Sequence, residues 1–99
     1  MQKKFQIVNR ILVETDSEQA PVTVVINPDD TEKHYLVDTL RIDEHTLASA
    51  LDPDELSRLE FEPDHLALIY KRPRSYTAAD QFLFKVSSVG AFLFKDKLI

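Results

Sequence analysis

The densest chemistry in the sequence is an acidic turn, Asp52-Pro53-Asp54-Glu55, with Glu60, Glu62 and Asp64 close behind it. Carboxylates at this spacing can serve three purposes. They can do acid–base work, but that needs a pocket and perturbed pKa values, and 99 residues leave little room for a cleft. They can hold magnesium, which binds through one or two carboxylates and keeps most of its waters. They can also complement the dipole of a helix start and stay solvated. The solvated helix cap is the leading reading, because it needs only a local cause. Calcium in an EF-hand is excluded, since the loop glycine and the Asp-x-Asp-x-Asp spacing are missing.

The remaining reactive types are scattered. His34, His45 and His65 stand in neither His-x₃₋₅-His nor His-Glu-x-x-His spacing, so they read as surface or partly buried imidazoles. No Gly-x-Ser-x-Gly occurs, and Ser87-Ser88 are expected in a hairpin turn. A phosphate-cradling loop is excluded because Gly90 is the only glycine. Lys71-Arg72-Pro73-Arg74 is the one basic cluster. It could meet phosphate or a lipid head group, but four residues in an acidic chain are a poor electrostatic footprint, and it reads as a solvated loop. No catalytic, cofactor-binding or metal-ligating residue is assigned, and the chain is not read as an enzyme.

The composition bounds the rest. A chain of 99 residues, 43% hydrophobic and 29% charged, fits one globular domain over residues 1–99. With no cysteine it has no disulfide framework and no thiol nucleophile. A net charge of −5 argues against nucleic acid as a partner. MQKKFQIVNR is basic, but no apolar stretch of about 7–15 residues follows, so no secretory signal is read. No apolar run reaches the roughly 18 residues of a membrane-spanning helix. A cytosolic domain is expected.

Phe5, Ile7, Ile11 and Val13 alternate and predict one strand with one buried face. VTVVI, residues 22–26, predicts a short buried strand. Asn27 or Asp29 is expected to cap a helix with Tyr35, Leu36 and Leu40 as its apolar stripe. A second helix over 44–51 follows, with Asp43 as cap and Leu47 and Leu51 facing the core. Leu59 and Phe61, then residues 66–70, predict two strands around the turn 62–65, the second apolar on both faces and therefore central. Residues 72–80 read as a polar connection. QFLFKV and AFLF predict a last hairpin with Gly90 at positive φ in its turn. Helices clustered between strand runs imply an α+β (α/β) domain, a mixed, largely antiparallel sheet flanked by short helices. The chain stops at Lys97-Leu98-Ile99, directly after a strand, which suggests a cut through a longer protein.

Ile42, Leu47, Leu51-Asp52, Arg58-Leu59-Glu60 and the apolar run Leu66 to Tyr70 together resemble the cytosolic N-terminal domain of CorA-like divalent-metal transporters. FLFKVSSVGAFLFKDKLI resembles the family's next hairpin, and the likeness covers roughly residues 35–99. It implies a soluble-domain fold on the cytoplasmic side of a membrane. It also implies a pore in transmembrane helices that carry a Gly-Met-Asn signature outside this chain, and partner subunits in a homo-oligomer, a pentamer in the full-length family. The isolated domain would then be monomeric or weakly associated. Many members carry a Glu-Asp pair on the short helix, where the Asp serves a regulatory metal site; this sequence has Ala48 and Ser49 there. The resemblance therefore implies no resident cofactor and, at most, weak magnesium binding. A stand-alone cytosolic interaction or ligand-binding module is the alternative reading.

Overall fold

The computed structural model describes residues 1–75 and 85–99. Strand β1 (Gln2–Val8) turns at Asn9-Arg10 and runs back as β2 (Ile11–Thr15), and β3 (Val22–Val25) pairs with the other edge of β1. Asn9 and Arg10 both have positive φ, 50° and 68°, as a two-residue hairpin loop matching the strand twist requires. The single strand expected over residues 5–13 is therefore two. Ile7 pairs with Leu12 and Val8 with Ile11, which puts Ile7 and Ile11 on opposite faces, and both are exposed.

Helix α1 (Asp30–His34) starts at Asp29, whose carboxylate accepts the Glu32 N–H at 2.8 Å while the Glu32 side chain accepts the Asp29 N–H at 3.1 Å. This reciprocal box satisfies two orphan donors of the first turn. The helix continues as a π-helical segment (Tyr35–Thr39) and stops at Arg41, which adopts φ 58°. The Ile42 N–H then bonds back to the Leu36 carbonyl at 3.1 Å, folding Ile42 into the core. Leu36 and Leu40 are buried as expected; Tyr35 is exposed.

Helix α2 (Glu44–Leu51) has the predicted bounds and the predicted cap, Asp43. Its core face is Leu47 and Ala50, whereas Leu51 is exposed. Strands β4 (Arg58–Phe61), β5 (His65–Ser75) and β6 (Lys85–Phe94) form a second antiparallel sheet with β5 central. β5 runs past residue 70 to Ser75, so residues 72–75 are strand where a connection is expected, with an irregularity between Pro73 and Ser75. Residues 76–80 of that connection and 81–84 of the expected hairpin lie outside the described residues. β6 passes straight through Gly90, which has no positive φ, and it carries Ser87-Ser88 in strand rather than in a turn.

The two three-stranded sheets are joined by the C-terminal residues. Leu98 bridges Val22 in parallel and Leu93 in antiparallel fashion, and the main chain of residues 97–99 bonds to Pro21, Thr23, Phe92 and Phe94 at 2.8–3.0 Å. The helices lie on one face of this surface. Leu36, Leu40, Ile42, Leu47 and Ala50 pack there on Ala67, Ile69 and Phe92, and this is the core. The expected α+β architecture, a mixed and largely antiparallel sheet with short helices, is the one observed.

Candidate functional site

A few polar residues, Asp43, Thr46, Ser49, Arg58, Glu60, Lys71 and Ser88, gather beneath α2, where the helix meets β4, β5 and β6, whereas the acids of the turn 52–55, Glu62, Asp64 and the histidines are not brought together there. Strand periodicity brings the β4 pair to this seam. Arg58 and Glu60 alternate with Leu59 and Phe61 along β4, so the charged pair faces the helix and the apolar pair faces away. Arg58 Nη2 donates to Ser49 Oγ at 3.0 Å, and Ser49 Oγ donates to the His45 carbonyl at 3.0 Å. Arg58 Nε lies 2.8 Å from Glu60 Oε1, but its N–H makes no aligned hydrogen bond. Thr46 Oγ1 lies 3.2 Å from both Glu60 Oε2 and Asp43 Oδ2. Asp43 also accepts the Thr46 N–H at 3.0 Å, and this bond holds its carboxyl below the usual carboxylate range.

At the other end of α2, Lys71 Nζ donates to the Asp52 carbonyl at 2.8 Å and to Ser88 Oγ at 3.0 Å. A cation at a helix C-terminus complements its dipole. The expected basic loop is thereby divided. Lys71 turns to the helix side and is half-buried, while Arg72, on the opposite face of the strand, is exposed.

The acidic turn is a helix boundary. Asp52 Oδ1 accepts the Asp54 N–H at 2.9 Å, and the Asp52 carbonyl accepts the Glu55 N–H at 3.2 Å. Glu60 is engaged with Arg58 and Thr46, and Asp64 Oδ1 lies 2.6 Å from His65 Nδ1. Among the described residues no three His, Asp or Glu side chains come together as a metal site. His65 is buried and stacks on Phe94 with ring centroids 4.8 Å apart; His34 lies 3.4 Å from Asp38 at the surface, and His45 is exposed.

Ala48 and Ser49 occupy different environments. Ala48 is exposed on α2 and lines an open cleft of about 450 Å³ with Val37, Leu47 and Leu51 at its apolar side and both acidic (Asp30, Asp38, Glu44) and basic (Lys33, His34) residues around it. Ser49 is buried at 2% exposure and bonded to Arg58. Chemically the seam fixes α2 on the sheet through charge-assisted hydrogen bonds. The Ser49–Arg58 pairing has no local sequence signal, because nine residues and a turn separate the partners.

These features define a small α+β domain with a sheet covered by helices on one face and a polar clamp under the second helix. Solved structures contain the same fold. The soluble domain of CorA from Methanocaldococcus jannaschii matches 98% of this chain and 38% of its own, with a TM-score of 0.65 and 24% identity. The complete CorA magnesium transporter from the same organism matches 98% of this chain and 30% of its own, with a TM-score of 0.63 and 24% identity. At this identity the likeness is one of fold, and the chain spans well under half the length of either protein. No family model and no curated protein matches the chain.

Proposed function

We propose that this chain is the cytosolic regulatory domain of a CorA-like transporter that moves magnesium or a related divalent cation across a membrane. The observation that carries the reading is the fold match over 98% of the chain to a CorA soluble domain. Among the described residues no helix is long and apolar enough to cross a membrane, so the pore would be supplied by another segment. In this reading the domain does no chemistry. It biases a closed and an open arrangement of an oligomer, and a cation contributes only by binding one arrangement better than the other.

The α2 surface of this chain is poorly equipped for that sensing. Ala48 has no donor atom and Ser49 is held by Arg58, so neither is a hard-cation ligand. Weak magnesium binding by the isolated domain follows. The test of the reading is to determine the coding sequence past the Ile99 codon. A long amphipathic helix followed by two apolar segments with Gly-Met-Asn between them supports it. A stop codon at that point favours the stand-alone interaction module, a reading for which the exposed apolar side of the sheet also speaks.

A further inference from the structure

Residues 1–35 contribute no buried side chain; among the described residues burial begins at Leu36. The sheet of β1, β2 and β3 therefore has no core of its own, and it gives the common core one half-buried residue, Val25. Its strands pair with each other, β1 with β2 on one side and with β3 on the other. Among the described residues few polar ties leave it. Leu98 N–H donates to the Pro21 carbonyl at 2.8 Å, Thr23 N–H donates to the Leu98 carbonyl at 2.9 Å, and the Met1 ammonium lies 3.2 Å from Glu32 Oε1. The strap of residues 97–99 is held unequally on its two sides. Toward β6, Ile99 both donates to and accepts from the Phe92 main chain, the Lys97 carbonyl accepts the Phe94 N–H, and the Ile99 side chain packs on the core. Toward β3 it makes only the two bonds of Leu98, whose side chain is 37% exposed.

We infer that β1, β2 and β3 form a flap that opens as one unit along the seam between β3 and Leu98, leaving the strap on β6. A region with few buried apolar contacts opens at a lower free energy than the core strands. Opening the seam breaks two main-chain bonds and one ion pair whose ammonium is well exposed, and such a pair adds little. Parting β5 from β6 instead breaks a ladder from His65 to Ser75 and uncovers Ile69, which is fully buried. The chain also supplies a pivot. Asn27, between β3 and the Asp29 cap of α1, has φ 47°. Asparagine visits the left-handed region with less strain than other side chains, so one residue can absorb the dihedral change of a hinge. Behind it, the reciprocal box of Asp29 and Glu32 keeps the start of α1 fixed. Flap opening does not require a role in transport.

The test is amide hydrogen exchange on the purified chain, read by NMR in rising, sub-denaturing urea. The amides of β1 and β3, that of Thr23 included, are expected to exchange through one shared opening, at least about 100-fold more populated than the opening that exposes β5. Because the chain lacks cysteine and Val22 bridges Leu98 in parallel, Val22→Cys/Leu98→Cys places a disulfide across the seam, where neighbouring strands lie at a span a disulfide can cross. The oxidised variant should narrow the gap between β1–β3 and β5 at least about tenfold, and its reduced form should match the wild type. Wild-type amides of β1 and β3 that exchange only together with β5 overturn the proposal. So does a cross-link that leaves the gap unchanged, since the opening then lies elsewhere.

Discussion

Ala50 of α2 rests directly on Gly90 of β6: a methyl group at Gly90 would lie 2.6 Å from Ala50 Cβ and 2.9 Å from Phe92 Cε2. Gly90 is opposite Ile69, which is fully buried. The glycine therefore sets how closely the helix approaches the sheet, and its φ is unremarkable. Gly90→Ala should destabilise the domain by about 1–3 kcal/mol through overpacking, measured by urea unfolding. Ala50→Gly alone should cost about 1 kcal/mol in helix propensity. The double variant should lose at least about 1 kcal/mol less than the sum, since the second change opens the space the first one fills. Additive effects would contradict the close approach.

Ser49 and Ala48 are neighbours on α2, the first buried against Arg58 and the second exposed. Ser49→Ala removes the oxygen that receives Arg58 Nη2 and should cost about 1–2 kcal/mol. Ala48→Ser, on an exposed position, should change stability by no more than about 0.5 kcal/mol. Equal effects at the two positions would contradict the inward clamp.

Much of this fold was legible in the sequence, and the failures share a cause. Asp43 and the bounds of α2 follow from local capping chemistry, which also narrows the first cap to Asn27 or Asp29, of which the structure uses Asp29; the turn between β4 and β5 falls at the expected polar residues. Asn9-Arg10 carries no glycine, so alternation reads straight through the turn and assigns Ile11 to the wrong face. Gly90 was expected in a turn because local rules favour it there, whereas the requirement for it comes from a helix forty residues away. The sealing of the two sheets by residues 97–99 and the Ser49–Arg58 bond are long-range as well. The apolar run 66–70 in β5 predicts burial on both faces, whereas Leu68 and Tyr70 are 42% and 40% exposed.

Asp43 gives the domain a pH signature. Its folded-state pKa is lowered by the Thr46 N–H, so its contribution to stability is present above the unfolded value near 3.8 and is lost as pH falls through the lower folded value. Thermal unfolding followed across the acid range should show Asp43→Asn losing part of the wild-type decline below about pH 4. An identical acid profile would contradict the cap.

Magnesium titrated into the chain at neutral pH should give no stoichiometric site of micromolar affinity by calorimetry. Ala48 offers no oxygen, Ser49 is engaged, Asp52 holds a backbone N–H, Glu60 faces Arg58 and Thr46, Asp64 faces His65, and no three carboxylates or imidazoles come together among the described residues. A one-to-one micromolar isotherm would contradict this.

The central claim is that this domain belongs to a membrane transporter. It is tested most directly by fractionating native cells and probing with an antibody raised against the 99-residue chain. The account predicts a signal in the membrane fraction, resistant to carbonate extraction, from a polypeptide about three times the 11.4 kDa chain mass, as the 30% coverage of the complete CorA structure suggests. An 11.4 kDa band confined to the supernatant would contradict it.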